Sequence, residues 1–571
     1  MGKKKTAAKP QEIRVPAHPA GLKVSAGILE RLERHSFAIA IALVLVASAR
    51  IAATYTVFNH TFDEPAHIAC GMEWLDKGTY TLEPQHPPLA RVAVALGPYL
   101  VGSRTLGPPH GKSPIFTAGQ EILDSGHHYD LTLALARLAV LPFFWVACAV
   151  VYGWGKRYFS AAIGVLALAL FSFLPPVLAH AGLATTDMAL TAFLGASFLS
   201  GMIWLEEPTR AHALWFGAAT GLVILSKFSC LVYLPAAAGA GLLWYFVAER
   251  PAMSGLTRGL AGRLAQLGMA VLVACLIVWA GYRFSFGKVY FANLHLPAPE
   301  LYAGIKQVMD HNAEGHTGYL LGVRRTTGFW YFYEVALAVK TPLAFLFLMG
   351  FGIVLACRKQ ASLRRLYVPL AFSAAILLVG AFSHINIGIR HVLPIYMGFS
   401  LLAAVALVRL LASGDTRRWI HGALAVLLLW FAGSSLLSHP DYLPYFNELA
   451  GSQPEKILVD SDLDWGQDLK RLGARLREVN APSVAFVISL VADLPGEFGF
   501  PPVRGFRPSV PDRGWNAVSV SMWKEQRLGL GDTYLDAPLW PDRAMELQGQ
   551  PGVPQPERIG KSILLWYFPP K

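Results

Sequence analysis

The chain has 571 residues, of which 54% are apolar and only 15% are charged. Soluble proteins average about 25% charged residues, so this composition excludes a disordered protein and favours a polytopic membrane protein. The net charge of +12 is spread among short loops, which is typical of a topology signal, and we do not expect a nucleic-acid partner. The five cysteines are scattered and predict neither a disulfide framework nor a zinc motif.

Long apolar segments predict eleven membrane-spanning helices. The first runs from about Phe37 to Phe58, and at about 1.5 Å per residue it can cross a hydrocarbon core of about 30 Å. Hydropathy places the other ten near residues 131–152, 160–179, 185–204, 211–228, 230–247, 265–284, 333–355, 367–383, 390–411 and 419–437. The segment from His86 to Ser103 is also apolar, but Arg91 and two early prolines favour an interfacial helix on the outer surface.

Loop charges predict the orientation of these spans. Residues 1–36 contain Lys3, Lys4, Lys5 and Lys9, so the positive-inside rule assigns this segment to the cytoplasm. Alternation then keeps the basic loops near residues 156–157, 250–263, 358–365 and 409–418 inside. The same alternation exports segments 59–130 and 285–332 and the tail 439–571. We therefore predict a multi-pass transmembrane domain over 37–438 and an extracytoplasmic carboxy-terminal domain.

The tail predicts a small α/β domain. Short β-type runs occur at Ser483–Ser489, Ala517–Trp523 and Ile563–Phe568, and Leu469–Val479 predicts a helix. The acidic run Asp460–Asp468 is spaced like a calcium loop but lacks its glycine and its final glutamate. We interpret this run as a helix-capping turn before the predicted helix.

Two acidic positions are candidates for chemistry at the outer face. Asp63 and Glu64 follow the first span closely, and a carboxylate near a low-dielectric boundary can act as a general base for a hydroxyl. The alternative is that they begin an interfacial helix, with Pro65 just inside it. Asp187 lies in the outer turn between the third and fourth spans, where Thr186 or Asp187 could instead be an N-cap. Because both connections are short, Asp63 and Asp187 can face one cavity.

Basic residues at membrane depth form a third candidate group. Lys340 lies about two turns into the eighth span, and Arg390 opens the tenth. Such charges are costly in a membrane and indicate function by default, although snorkelling to the interface is the alternative. With Arg283, Arg324 and Arg325 they predict an outer basic cluster suited to a lipid phosphate.

A metal site is a weaker hypothesis. His60, His67 and His86 share the outer segment of Asp63, and nitrogen and oxygen ligands suit zinc. No spacing among them fixes a coordination geometry. We therefore predict no certain cofactor and leave a divalent cation open.

Several short motifs occur in an order that resembles a known group. They are Asp63–His67, His86–Leu89, Ala184–Asp187, Gly318–Gly322 leading to Val339–Pro342, Ile387–Arg390 with Leu393–Pro394, and Tyr445–Glu448 through Asp464–Asp468. Together they resemble the bacterial polyprenyl-phosphate-dependent glycosyltransferases of the GT-C superfamily. This group is related to family 39 protein O-mannosyltransferases and lipid A aminoarabinose transferases.

The resemblance implies an inner-membrane enzyme that moves a sugar from a polyprenyl-phosphate-linked donor to an acceptor protein, lipid or glycan, with inversion. It makes Asp63 the general base, with Glu64 beside it and Asp187 as the second acidic residue of the cavity. The residues implied to hold the donor phosphate are Lys340, Arg390, Arg324 and Arg325. Those implied to line the acceptor or sugar pocket are His67, Gln85, His86 and Tyr319.

One position departs from the group's pattern, and two other functional classes remain open. Relatives often carry an acidic residue where this chain has Gln85, which weakens any metal site there. A lipid-linked sugar transporter or flippase would also place charges within the membrane, although transporters usually contain internal repeats and none is visible. A non-catalytic assembly protein would use the tail for contacts and would tolerate changes to the carboxylates.

Overall fold

A computed structural model describes residues 27–570 except 106, 108–109, 112, 126–127, 250–262, 290–292, 359–364, 414–417, 488–497, 527–538 and 552. Most of the predicted cytoplasmic segment 1–36 therefore lies outside the described residues. The same holds for most of the predicted inner loops at 250–263 and 358–365 and for part of the loop at 409–418.

The apolar segments fold into helices, which satisfy their own backbone polar groups as lipid requires. Each of the eleven predicted spans coincides with one helix or with two consecutive helical segments. The helices are Ile28–Arg34, Ser36–Ala52, Tyr129–Leu138, Leu141–Tyr158, Ala161–Ser172, Pro175–Ala181, Asp187–Glu206, Arg210–Ile224, Cys230–Glu249, Leu264–Gly281, Phe332–Lys340, Leu343–Cys357, Tyr367–Ala381, Ile395–Ser413 and Arg418–Leu437.

Judged by length and composition, fewer than eleven of the described helices are able to cross a membrane. Within the described part of the chain, six helical segments are long and apolar enough to cross a membrane, or up to eight if each of two bent pairs is one span. The bends measure 83° between Ile28–Arg34 and Ser36–Ala52 and 70° between Ala161–Ser172 and Pro175–Ala181. The predicted eighth span is also broken, at Thr341–Pro342, because proline cannot donate a helical hydrogen bond. The count of eleven spans stays a prediction.

The predicted outer segments contain shorter elements. Their helices are Asp63–Met72, Pro88–Leu100, Pro114–Asp124 and Pro299–Glu314, with a π-helical turn at Glu73–Lys77. Two antiparallel hairpins pair β1 (Phe286–Val289) with β2 (Leu294–Pro297) and β3 (Gly318–Leu320) with β4 (Val323–Arg325). The helix Asp63–Met72 packs tightly on its neighbours, since a Cβ at Gly71 or at Gly119 would overlap a facing backbone carbonyl.

The tail forms a mixed five-stranded sheet with short helices, as an α/β domain requires. Its strands are β5 (Val484–Ala485), β6 (Val503–Arg504), β7 (Gly514–Ser519), β8 (Glu557–Ile559) and β9 (Ile563–Phe568), in the order β6-β5-β7-β9-β8. β5 is parallel to β6 and β7, whereas β9 is antiparallel to β7 and β8. Its helices are Leu469–Glu478, Val520–Lys524 and Trp540–Glu546.

One predicted strand is wrong in its second half. The run Ala517–Trp523 ends as a strand at Ser519, and Val520–Lys524 is helical. The Ser519 hydroxyl accepts a hydrogen bond from the Met522 N–H at 3.3 Å, so a serine cap ends the strand and begins the helix. The run at β9 and the helix at Leu469 are confirmed. The predicted run Ser483–Ser489 is a strand only at Val484–Ala485, and its residues 488–489 lie outside the described residues.

Short helical turns connect the membrane region to the tail. They are Ile389–Val392, Glu448–Ala450, Pro454–Lys456 and Asp460–Asp462. The hairpin of β3 and β4 also contacts the tail, because the Leu321 N–H donates to the Ile457 carbonyl at 2.9 Å. Segments far apart in the chain therefore meet where the membrane helices end.

Candidate active site

Four charged side chains from four segments meet at one place, which we call the open cluster: Asp63, Asp187, Lys227 and Arg390. Asp63 and Asp187 are each the first residue of a helix. Lys227 lies in the turn between helices Arg210–Ile224 and Cys230–Glu249, and Arg390 lies in the turn Ile389–Val392. Each side chain thus comes from the end of an element, where the backbone can present it to a shared space.

Arg390 is the centre of this open cluster. Its Nη1 lies 3.1 Å from Asp63 Oδ2 and 3.6 Å from Asp187 Oδ2. Lys227 Nζ donates to Asp187 Oδ1 at 2.6 Å. Asp187 is fully buried, whereas 24% of the Asp63 side chain is exposed. Asp63 is therefore the carboxylate that an incoming hydroxyl can reach.

The tail supplies the wall behind Arg390. The guanidinium carbon lies 4.2 Å from the ring centroid of Trp465, and Arg390 Nε donates to Ser461 Oγ at 3.1 Å. Ser461 in turn donates to the Ile387 carbonyl. A Cβ at Gly388 would overlap Ser461 Oγ, so a glycine is needed for this close approach.

The helix-capping alternative fails for Asp187. The N-cap of its helix is Thr186, and neither side chain caps that helix. The Asp187 carboxylate instead accepts from Thr185 Oγ1 at 3.3 Å and pairs with the two cations of the open cluster. For Asp63 both descriptions hold, because it begins a helix and also contacts Arg390.

Glu64 has a different environment from its neighbour. It forms a closed pair with Arg137, in which Nε and Nη2 donate to its two oxygens at 2.8 Å each. The Ala184 and Thr61 N–H groups also donate to it, at 2.8 and 2.7 Å. The side chain is fully buried. The structure therefore does not bring Glu64 to the exposed side of Asp63, and its contacts are those of a residue that fixes backbone segments.

Lys340 is also buried rather than extended toward solvent. Its Nζ donates to the Leu443 carbonyl at 2.7 Å and to the Asp462 carbonyl at 2.5 Å. The Phe446 ring covers the ammonium at 4.3 Å. Asp462 also accepts the Ile389 N–H at 3.1 Å. Lys340 is thus joined to the open cluster through the backbone next to Arg390.

The other predicted basic residues have separate surroundings. Arg325 lies over the Phe329 ring at 5.0 Å, and Arg283 lies over the Trp74 ring at 4.8 Å. Arg324 faces Tyr319 across the β3–β4 hairpin. The predicted grouping of these arginines with Arg390 and Lys340 as one basic cluster stays a prediction.

Tyr319 packs into the tail. Its ring is 7% exposed and belongs to an apolar group with Val459, Leu463 and Trp566. The contacts of Tyr319 are therefore those of a packing residue that holds the hairpin against the sheet.

The remaining predicted pocket residues lie along the first outer segment. The rings of His67 and His86 meet edge to face, with centroids 5.3 Å apart, and Arg91 Nε donates to His67 Nδ1 at 3.1 Å. Gln85 Nε2 lies 2.7 Å from His311 Nδ1. Throughout the described residues, no three His, Cys, Asp or Glu side chains converge to hold a metal ion, so we assign no ligand set.

The acidic loop, which we define as Asp460–Asp468, anchors the tail. Burial raises the pKa of Asp464 to about 6 and also raises the pKa of Asp468. Asp464 Oδ2 accepts from Ser519 Oγ at 2.5 Å, and Asp468 Oδ2 accepts from Ser562 Oγ at 2.8 Å. Both carboxylates therefore bind the sheet.

The interpretation of this loop as a self-capping turn is wrong. Asp468 occupies the N-cap position of helix Leu469–Glu478 but makes no capping hydrogen bond. Asn59 performs this role from the other end of the chain, because its Oδ1 accepts the Leu469 N–H at 2.8 Å.

Sequence reasoning missed three residues of this region: Lys227, Arg137 and Trp465. Lys227 lies at the junction of two predicted spans, and a lysine within a long apolar block is itself a signal of function. Trp465 lies within the motif Asp464–Asp468, but no local pattern indicates its contact with Arg390 or the contact of Arg137 with Glu64, because these partners are distant in the chain.

Neither a protein-family model nor a curated protein sequence matches this chain. Among solved structures, the chain is similar to ArnT from Cupriavidus metallidurans bound to undecaprenyl phosphate, with 15% identity and a TM-score of 0.49 over 92% of this chain and 97% of that one. It is also similar to the Archaeoglobus fulgidus oligosaccharyltransferase AglB in complex with an inhibitory peptide and a dolichol-phosphate. That match has 12% identity and a TM-score of 0.43 over 86% of this chain and 71% of that one.

Proposed function

We propose that this chain is an integral-membrane glycosyltransferase that moves a sugar from a polyprenyl-monophosphate donor to an acceptor hydroxyl at the outer face of the membrane. The open cluster is the observation that carries this proposal. It combines one reachable carboxylate with a buried guanidinium at the ends of membrane helices. A base for the hydroxyl and a cation for the phosphate are the two groups that such a transfer needs.

Asp63 acts as the general base in this proposal. Its carboxylate takes the proton of the acceptor hydroxyl while the acceptor oxygen bonds to the anomeric carbon of the sugar. The bond from that carbon to the phosphate oxygen breaks, and polyprenyl phosphate leaves with the electron pair. Attack opposite the leaving group inverts the configuration at the anomeric carbon. Arg390, 3.1 Å from Asp63, binds the phosphate as its charge grows.

The other charges support these two groups. Asp187, held by Lys227, keeps Arg390 close to Asp63. Lys340 is engaged with two backbone carbonyls, so it contributes positive charge from behind the phosphate. Arginine and lysine can stabilise a monophosphate leaving group without a resident metal, since its charge is lower than that of a diphosphate.

The remaining predicted residues have roles around this centre. We propose that Arg324 and Arg325 attract the anionic donor from the β3–β4 hairpin. His67, His86 and Gln85 border the sugar, whereas Tyr319 holds the hairpin in place. We assign Glu64 to positioning because both of its oxygens are saturated by donors.

The test is Asp63→Asn in the purified chain, with a radiolabelled undecaprenyl-phosphate sugar as donor and membranes from a deletion strain as the source of acceptor. We expect transfer to fall about 10²- to 10⁴-fold, the usual contribution of a general base. Undiminished transfer would remove Asp63 from the mechanism. Movement of intact labelled lipid across vesicles without transfer would favour the flippase alternative. Wild-type protein that neither transfers nor moves the lipid would favour the assembly alternative.

A further inference from the structure

The acidic loop contacts the segment that leads into Asp63. The Phe62 N–H donates to the Trp465 carbonyl at 3.0 Å, so the residue directly before Asp63 is tied to the tail. Asn59 Nδ2 donates to the Gly466 carbonyl at 2.6 Å, and its Oδ1 accepts from Leu469. These contacts join residues about 400 positions apart in the chain. The start of the helix that carries Asp63 is therefore held by the tail.

The side chain of Trp465 contacts Arg390, the ion-pair partner of Asp63. Its indole is 2% exposed, and the guanidinium of Arg390 lies over its ring at 4.2 Å. The ring of His180 meets the indole edge to face at 6.5 Å. A guanidinium stacked on a buried ring keeps its plane fixed, and desolvation strengthens the contact. Trp465 therefore determines the direction in which the Arg390 fork points.

The rest of the acidic loop is fixed on both sides. Asp464 is bound to the sheet, through Ser519 Oγ at 2.5 Å and the Ser521 N–H at 3.0 Å. On the membrane side, the Asp462 carbonyl accepts from Lys340 at 2.5 Å. Hydrogen bonds to the sheet on one side and to Lys340 on the other thus hold the loop that carries Trp465 in place.

We infer that Trp465 is a positioning residue of the active site, whose backbone places Asp63 and whose indole places Arg390, so that the tail sets the geometry between base and cation. This inference rests on the proposed function. It gives the tail a part in each turnover, through the contact of the Trp465 side chain with Arg390. It also explains why the tail is packed against the ends of the membrane helices.

Trp465→Leu and Trp465→Phe test this inference in the full-length purified chain. Leucine fills much of the space but removes the ring, whereas phenylalanine keeps an aromatic face for Arg390. With the same undecaprenyl-phosphate sugar and membrane acceptor, we expect kcat/KM to fall about 10- to 30-fold for leucine, as for the loss of a desolvated cation–π contact. Phenylalanine should stay within about threefold of wild type. The loss in Trp465→Leu should fall mainly on kcat, with the KM for the donor changing less than about threefold, because Arg390 acts on the charge that grows on the phosphate during transfer.

Trp523→Leu is the matched control. Trp523 is buried in the tail and donates to Asp542 at 2.9 Å, so its loss should lower the thermal midpoint and leave kcat within about twofold of wild type. Equal losses for the leucine and phenylalanine variants of Trp465, or a loss confined to KM for Trp465→Leu, would overturn the inference.

An experimental structure of Trp465→Leu separates this inference from the proposed function. If wild-type protein transfers no sugar but Arg390 turns away from Asp63 in the variant, the proposed function fails and the positioning role stands. An Arg390 that stays in place in the variant refutes the positioning role, whatever the activity.

Discussion

The open cluster and the closed pair contain consecutive residues, Asp63 and Glu64, yet these two carboxylates differ in their hydrogen-bond donors and in their exposure. Glu64 in the closed pair accepts from Arg137 and from two backbone N–H groups, and no part of it is exposed. Asp63 in the open cluster contacts Arg390 from one side, and about a quarter of its side chain is exposed. The same chemical group is therefore saturated at one position and available at the next.

This difference shows how the chain separates stability from chemistry. A buried carboxylate with a full set of donors has no capacity left for substrate, and it is expensive to disturb. A carboxylate with one shared cation can exchange that contact for a hydroxyl proton. The sequence Asp63-Glu64 thus contains one residue of each kind, because successive residues of a helix point about 100° apart.

The largest expected difference between the open cluster and the closed pair is in the free energy of unfolding of two variants, Glu64→Gln and Asp63→Asn. Glu64→Gln leaves Arg137 charged and buried without its counter-ion, which typically costs about 3–5 kcal/mol. Asp63→Asn should cost less, about 1 kcal/mol, since Asp63 is partly exposed and Arg390 keeps Asp187 as a counter-ion. Thermal and denaturant unfolding of the purified variants in detergent measure both effects.

The activities of these variants should show the opposite order. At a temperature where Glu64→Gln is still folded, it should retain most of its transfer, whereas Asp63→Asn should not. A stable Glu64→Gln protein that has lost transfer would place Glu64 in the chemistry and would erase the distinction between the open cluster and the closed pair.

A second test uses pH, because the acidic loop contains a buried carboxylate, Asp464, that accepts from a hydroxyl and from backbone N–H groups. Burial raises the pKa of Asp464 from 3.8 to about 6, so the folded state favours its protonated form. This stabilisation is fully present below about pH 4 and is lost as the pH rises through about 6. The shift corresponds to about 3 kcal/mol of unfolding free energy over this window.

Asp464→Asn isolates this contribution. The variant removes the titrating group but keeps an oxygen that can accept from Ser519 and Ser521. We expect its thermal midpoint to change less between pH 4 and pH 6 than that of the wild type. Parallel curves for the two proteins would show that Asp464 does not titrate in this window.

Local pattern predicted most of the helices and part of the site. The spans follow from long apolar runs, and β9 follows from a run of apolar and aromatic residues at Ile563–Phe568. The shared cavity of Asp63 and Asp187 was inferred from their equal depth in short outer connections, and in the structure both carboxylates contact Arg390. Hydropathy locates the ends of membrane spans, so it indicates which residues lie at the same depth in the membrane.

Contacts between distant segments were not predictable in this way. Hydropathy does not show that Trp465 meets Arg390, that Arg137 meets Glu64 or that Tyr319 enters the core of the tail. Such pairs depend on how helices pack, and packing leaves no periodic signal in one sequence. The Ser519 cap was missed for a related reason, because a strand and the helix that follows it were both apolar.

The smallest expected effect concerns Asn59, which lies shortly before Asp63 and Glu64 in the chain and forms hydrogen bonds with the tail. Asn59→Ala removes the cap of helix Leu469–Glu478 and the bond to Gly466, which should cost about 1–2 kcal/mol. Thr209→Ala is the matched control, because Thr209 caps helix Arg210–Ile224 through the His212 N–H at 3.1 Å and has no contact with the tail among the described residues. Both variants should lower the thermal midpoint. Only Asn59→Ala should also lower sugar transfer, by about threefold, because it removes hydrogen bonds that hold the acidic loop and therefore Trp465 in place. Equal transfer by the two variants would mean that the position of the acidic loop does not limit the reaction.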